Sequence, residues 1–96
     1  MTPGDPLARL AEPGLDVAAA GRVLRAAFAA TDPQGAAHDA RLILRHVLGL
    51  DLTALTLGGD RPVDPEAALR LADLGRRRLA GEPVARLLGS AGFRGL

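Results

Sequence analysis

Three segments of this sequence carry apolar residues at the 3.6-residue spacing of an amphipathic helix, and this periodicity limits the fold more than any other feature. The longest segment has the clearest boundaries. Asp64 is a typical N-cap, Pro65 suits the first helical position, and Gly81 is a typical stop after the last turn. The sequence therefore predicts an all-α fold, a small helical bundle of four to five helices. The helices are predicted over residues 17–30, 36–48, 52–57 and 65–80, with a short helical turn over residues 83–88.

The composition agrees with helices that pack through small side chains. Hydrophobic residues make up 48% of the 96 residues, but only Phe28 and Phe93 are aromatic. A core of Ala, Leu and Val suits closely packed helices better than a β-sandwich. Gly21 lies inside the first predicted helix, where it predicts a close approach of another helix. There is no cysteine, which excludes a disulfide framework and a thiolate metal site.

The predicted second helix, residues 36–48, is expected to occupy the centre of the bundle. Leu42 lies outside its apolar face, which indicates that other elements cover the helix on two sides. Gly49 is the predicted left-handed stop. In the short third helix, Leu55 and Leu57 are both predicted to pack inward. Aspartates stand at the predicted N-caps of the first and third helices: Asp16 and Asp51.

The two ends of the chain are expected to differ from the bundle. Proline and glycine punctuate residues 1–14, which predicts a flexible N-terminal tail with one helical turn at most. The helical domain is then expected to cover residues 15–89. Residues 90–96 are interpreted as the start of a linker, because an extended segment begins there as the chain stops.

The overall charge of the chain is close to neutral. Twelve arginines face eleven acidic residues, and the net charge of +1 does not favour a nucleic-acid partner. No apolar run reaches the roughly 18–20 residues that a membrane helix needs. The N-terminus lacks the basic and then apolar pattern of a signal peptide, so the expected location is the cytoplasm.

Local clusters of arginine have a structural and a functional interpretation. Arg76–Arg78 could contact nucleic acid, but cations in the last turn of a helix also suit its macrodipole, and we favour this second interpretation. Arg22 and Arg25 lie on the outer face of the first helix. Arg41 and Arg45 are like charges four residues apart, an arrangement that destabilises a helix unless acidic groups from elsewhere compensate it.

No catalytic or metal constellation is present in the sequence. Gly58 and Gly59 are interpreted as a turn, since no Gly-Lys-Ser/Thr follows them and no predicted strand precedes them. His38 and His46 are separated by about 12 Å along a helix, too far to share one ion. Nothing resembles a nucleophile with its base. These residues alone predict a helical interaction or positioning module.

Two blocks of the sequence resemble the HemK/PrmC family of release-factor glutamine methyltransferases. Residues 81–89 read Gly-Glu-Pro-Val-Ala-Arg-Leu-Leu-Gly, and residues 93–96 read Phe-Arg-Gly-Leu, similar to the segment that joins the two domains of that family. Residues 39–49 read Asp-Ala-Arg-Leu-Ile-Leu-Arg-His-Val-Leu-Gly, similar to an earlier block. Arg86 and Arg94 stand where the family usually has aromatic residues. The resemblance assigns an interdomain junction to Gly81, Pro83, Gly89, Phe93 and Gly95.

The resemblance implies a function for the whole family. Its enzymes transfer a methyl group from S-adenosylmethionine to the glutamine of the Gly-Gly-Gln motif of peptide chain release factors. The chemistry belongs to a C-terminal catalytic methyltransferase domain, so the resemblance assigns no catalytic, cofactor-binding or metal-binding residue to this chain. The implied role of residues 15–89 is to position the release factor, with the catalytic domain supplied in cis or in trans. The chain alone is expected to be inactive and to bind no cofactor.

Two other functions remain open from the sequence. One is a free-standing helical adaptor that keeps the fold without the enzyme. The other is a small nucleic-acid-binding domain, which the near-neutral charge and the scarcity of aromatic residues disfavour. No membrane partner is expected.

Overall fold

The computed structural model describes residues 6–90 and forms a bundle of five α-helices. They are α1 (Val17–Ala29), α2 (Ala36–Leu48), α3 (Leu52–Leu57), α4 (Pro65–Leu79) and α5 (Val84–Ser90). A short 3-10 helix, Ala8–Ala11, precedes them. Residues 6–90 contain no β-strand, only an isolated antiparallel bridge between Asp16 and Pro62. The predicted all-α fold is confirmed, and every predicted helix lies within two residues of its observed bounds.

Helix α2 occupies the centre of the bundle, as its sequence predicted. It contacts α1, α3, α4 and α5. Leu24 of α1, Ile43 of α2 and Leu71 of α4 are 0% exposed, and they belong to one continuous apolar core. Gly21 lies where α1 and α2 approach closely, since a Cβ atom there would be 3.3 Å from Cδ1 of Leu44. None of the described helices is both long enough and apolar enough to cross a bilayer.

Aspartate caps begin three of the helices. The side chains of Asp16, Asp51 and Asp64 accept hydrogen bonds from Ala19, Ala54 and Ala67 at 2.8, 2.7 and 2.7 Å. Each cap satisfies one of the backbone N–H groups that a helix start leaves without a partner. Gly49 ends α2 with a φ of 69°, the left-handed conformation that glycine adopts at least cost.

The loop before α4, which contains Gly58 and Gly59, supplies hydrogen-bond acceptors to the first turn of α1. The N–H of Val17 donates to the carbonyl of Arg61 at 2.9 Å, and that of Ala18 donates to the carbonyl of Gly59 at 2.8 Å. The next N–H bonds the side chain of Asp16, so the first turn of α1 is satisfied within the domain. The interpretation of the two glycines as a turn is confirmed. Carbonyl groups of this loop face the helix start, an arrangement unlike a phosphate cradle.

The N-terminal segment corrects one expectation. Residues 1–14 were predicted to form a flexible tail, but Leu7 and Leu10 are each 1% exposed and belong to the core. A Cβ atom on Gly75 would lie 3.0 Å from Cδ1 of Leu7, so this leucine is seated directly on α4. The prolines and glycines around it mark local turns, and burial of the leucines depends on α4, a helix that begins more than 50 residues later in the sequence. Residues 1–5 lie outside the described part.

Helix α3 corrects a second expectation. Leu55 packs against the core as predicted, but Leu57 is 78% exposed. Two residues along a helix turn a side chain through about 200°, so a helix of six residues resting on one face cannot bury both. Leu52 is also 49% exposed, and α3 contains no buried residue.

We expect replacement of Asp16 by alanine to lower the free energy of unfolding by about 1 kcal/mol, because Ala19 loses its cap. Asp16→Asn should retain most of the stability, since an amide oxygen also accepts. Asp60→Ala, at an exposed position of the facing loop, is the matched control. Urea melts of the three variants measure the effect. Equal stability of the alanine and asparagine variants at position 16 would contradict the capping role.

Candidate functional site

The predicted junction begins where α4 ends. The N–H groups of Ala80, Gly81 and Glu82 donate to carbonyls of the last turn of α4 at 2.9–3.1 Å. Gly81 has a φ of 112°, which a residue with a Cβ atom adopts only with strain. The carbonyl of Pro83 then accepts from Arg86 and Leu87, at 3.0 and 3.1 Å, and opens α5. The glycine and the proline therefore turn the chain from one helix into the next.

Helix α5 is held against the rest of the bundle. Val84 is 8% exposed and Leu87 is 0% exposed, and the helix contacts both α2 and α4. Gly89 lies within α5, near its end. Phe93 and Gly95, the other predicted junction residues, lie outside the described part. The structure thus brings together the turn and the short helix of the proposed junction, and the assignment of these residues to a joint with another domain stays a prediction.

An ion pair crosses the turn between α4 and α5. Nε of Arg77 donates to Oε1 of Glu82 at 2.8 Å, and Nη2 donates to Oε2 at 3.2 Å. The hydrogen bond from this guanidinium, with a smaller contribution from its charge, lowers the pKa of the Glu82 carboxyl. The same hydrogen bond raises the pKa of Arg77. The two-point contact fixes the direction in which the chain leaves α4.

We expect the pKa of Glu82 to rise toward its ordinary value in the variant Arg77→Ala, measured by a carbon NMR titration of the carboxyl. Because the folded state lowers this pKa, the ion pair stabilises the fold fully at neutral pH and ceases to do so as the pH falls through the lowered pKa. Arg86→Ala, which removes a weaker electrostatic contribution, should move the pKa less. Identical titration curves in the parent chain and in Arg77→Ala would contradict this.

The next arginine ties α4 to α2. Nε of Arg78 donates to Oδ2 of Asp39 at 3.0 Å, and its Nη2 lies 3.9 Å from Oδ2 of Asp32. The Arg78 side chain is 22% exposed, and its charge is compensated by these two aspartates within the domain. Arg77 and Arg78 therefore both hold internal contacts, which favours the structural interpretation of this cluster.

A second group of arginines lines a groove between α1 and α2. We call it the α1–α2 groove, a cavity of about 320 Å³ whose lining also includes Leu55 and Thr56 of α3. Small residues make up much of the lining: Ala18, Gly21, Ala37 and Ala40. Three exposed arginines line it: Arg22, Arg25 and Arg41. No acidic residue is among the lining residues, so the groove is a concave basic surface.

The sequence contained part of the signal for this groove. The outer positions of Arg22 and Arg25 on α1 follow from helical spacing, and the like charges of Arg41 and Arg45 suggested that acidic groups from elsewhere would compensate them. No acidic side chain of the described residues forms an ion pair with any of the four. The buried Nε of Arg45 also has no hydrogen-bond partner within residues 6–90. Only the packing of α1 on α2 brings Arg22 and Arg25 to the same groove as Arg41.

A larger, more apolar groove is lined by different residues. It has a volume of about 760 Å³ and runs between the N-terminal 3-10 helix and the first half of α4, with Leu69 at its edge. Leu69 is 71% exposed. His38 and His46 belong to no cluster of three or more potential metal ligands within residues 6–90.

Residues 20–89 match the family described as the PrmC N-terminal domain, so this chain belongs to that family. A release factor glutamine methyltransferase of Bradyrhizobium diazoefficiens is 41% identical over 98 residues, which cover 100% of this chain and 31% of that protein. Proteins of the same name from Burkholderia pseudomallei and Rhodospirillum rubrum are 47% and 51% identical, over 60% and 57% of this chain and 20% and 17% of each relative. The chain therefore spans about a third or less of these relatives. No solved structure gave a significant match.

S-adenosylmethionine is the methyl donor that the resemblance implies for the family, and the expectation that this chain binds no cofactor stays a prediction. A Rossmann-like site needs a parallel strand that leads through a glycine turn into a helix. Residues 6–90 have no strand, and the carbonyls of the loop at Gly59 and Arg61 are occupied by the start of α1. We derive no step of the reaction from this part of the chain.

Proposed function

We propose that this chain is the part of a release factor glutamine methyltransferase that holds the release factor while a separate catalytic domain transfers the methyl group. The observation that carries the proposal is the family match over residues 20–89, which coincides with the helical bundle and reaches the predicted junction. S-adenosylmethionine would supply the methyl group, bound elsewhere. The residues described above would supply binding and orientation, in the cytoplasm.

A separate binding domain is useful because the acceptor glutamine is a small target. A catalytic site that grips only the residues around that glutamine has little surface for recognition, and small interfaces are usually transient. A second contact on the same release factor makes the arrival of the glutamine effectively intramolecular. The rigid turn at Gly81 and the ion pair between Arg77 and Glu82 suit this role, because they set the direction of the chain after α4.

Competition tests the proposal with the chain as it exists. The 96-residue chain is added to the Bradyrhizobium diazoefficiens methyltransferase, and methylation of a full-length release factor is followed with a labelled methyl donor. We expect the apparent KM for the release factor to rise with chain concentration while kcat stays constant, because the chain occupies the surface that the enzyme's own domain needs. Direct binding of the chain to the release factor should be weak, in the micromolar range or above.

A short peptide that contains the Gly-Gly-Gln motif provides the control. It lacks the rest of the release factor, so its methylation should be unaffected by the added chain. Inhibition of both substrates would indicate an effect on the enzyme itself, and inhibition of neither, with no direct binding, would contradict the proposal. A free-standing adaptor for another protein would give this last result.

The chain alone is expected to bind no S-adenosylmethionine and to methylate no release factor. Calorimetric titration of the cofactor into the chain should give no binding isotherm. Incubation of the chain, release factor and labelled donor should leave the release factor unlabelled. Micromolar cofactor binding or methyl incorporation would place the chemistry in this domain and contradict the proposed division of roles.

A further inference from the structure

Of the three grooves described above on residues 6–90, the α1–α2 groove has a charged lining that is entirely positive. The apolar groove contains Glu12 beside Arg76, and the groove at His46 contains Asp73 beside Arg70 and Arg77. In the α1–α2 groove, Arg22, Arg25 and Arg41 meet no carboxylate. A cleft whose charged residues all carry the same sign attracts groups of the opposite sign.

Six acidic residues of the described part are engaged elsewhere. Three aspartates cap helices, and three further acids form ion pairs with arginines of α4: Asp32 and Asp39 with Arg78, and Glu82 with Arg77. No described acid forms an ion pair with Arg41 or Arg45, so their mutual repulsion is not compensated within residues 6–90. A partner that brings carboxylates to this face would relieve the repulsion and gain hydrogen bonds to guanidinium groups.

We infer that the α1–α2 groove is the docking surface for an acidic segment of the release factor, an inference that rests on the proposed function above. The alanine and glycine residues of its lining have little or no side chain, so they leave room for the backbone of a partner to approach closely. Arg22 and Arg25 are three residues apart on α1, about 4.5 Å along its axis. Carboxylates three or four residues apart on a partner helix repeat at a similar spacing of about 5–6 Å. An acidic helix laid along the groove can therefore meet the arginines in register.

The same surface suits nucleic acid less well. Single-stranded RNA is usually held by aromatic side chains on which the bases stack, and Phe28, the aromatic residue of the described part, is 2% exposed. A duplex is usually held through about 6–10 phosphate contacts, more than these arginines provide. Three guanidinium groups in one small groove are enough to bind a few carboxylates.

Charge reversal in the groove tests the inference. The chain with Arg22→Glu and Arg25→Glu is compared with the chain carrying Arg9→Glu and Arg70→Glu, which has the same net charge but places it elsewhere. Binding to a full-length release factor is measured by biolayer interferometry at low and moderate salt. We expect the groove variant to bind about tenfold more weakly or worse, with reduced salt dependence, and the control variant to bind within about twofold of the parent chain.

Further measurements distinguish a loss of binding at the groove from a loss of folding. Circular dichroism establishes that each variant is folded, and the milder pair Arg22→Gln and Arg25→Gln replaces the reversal if it is not. Cross-linking of the complex identifies the acidic segment of the release factor, and reversing two of its carboxylates to arginine should restore binding to the groove variant.

Failure of the parent chain to bind the release factor would overturn the proposed function and this inference together. Normal binding by the parent and equal binding by the groove variant would overturn the inference alone. A labelled single-stranded RNA that binds the parent chain more tightly than the release factor does, and loses affinity in the groove variant, would assign the surface to nucleic acid instead.

Discussion

Replacing Leu71 with alanine is expected to lower the free energy of unfolding by about 2–5 kcal/mol. Leu71 is 0% exposed at the contact of α4 with the core, so truncation removes buried apolar surface and leaves a cavity that the surrounding helices fill only partly. Since a domain of this size has about 5–15 kcal/mol of stability in total, the variant should melt at a much lower urea concentration.

Leu69 provides a control on the same helix. It differs from Leu71 by two positions and is 71% exposed, so Leu69→Ala should cost less than about 1 kcal/mol. Both substitutions remove the same atoms and change helix propensity equally, which leaves burial as the difference between them. Similar losses in the two variants would mean that the faces of α4 have been assigned wrongly.

Replacing Leu7 with alanine is expected to cost a similar amount, about 2–5 kcal/mol, although the residue lies in the proline- and glycine-rich N-terminal segment. Its side chain is 1% exposed and sits on the bare backbone of α4 at Gly75. Arg9→Ala, an exposed position in the same 3-10 helix, should change the stability by less than about 0.5 kcal/mol. Thermal or urea melts measure both.

A double-mutant cycle tests the contact between Leu7 and Gly75 directly. A Cβ atom on Gly75 would lie 3.0 Å from Cδ1 of Leu7 and 3.2 Å from Cδ2 of Leu24, so Gly75→Ala should be strained in the parent chain. In the Leu7→Ala background part of that strain disappears. We expect the double variant to be more stable than the sum of the single losses predicts, and strict additivity would show that the two residues do not touch.

Local signals in the sequence determined the helices of this protein. The carboxylates of Asp16, Asp51 and Asp64 bond N–H groups three residues ahead, and Gly49 adopts a conformation that its missing side chain permits. These interactions span one helical turn, so residue type and spacing suffice to predict them. Helical spacing likewise placed Arg22 and Arg25 on the outer face of α1. The two blocks within residues 39–49 and 81–96 that resemble the HemK/PrmC family predicted the family match.

Tertiary structure decided what the short elements do and which charges meet. Leu7 and Leu10 are buried because α4 offers them a surface, and Leu57 is exposed because α3 rests on one face only. Asp39 and Arg78 pair across 39 positions of sequence. The α1–α2 groove follows the same rule: each arginine could be placed on a helix from its spacing, but only the packing of one helix against another sets the distance between residues that the chain keeps far apart.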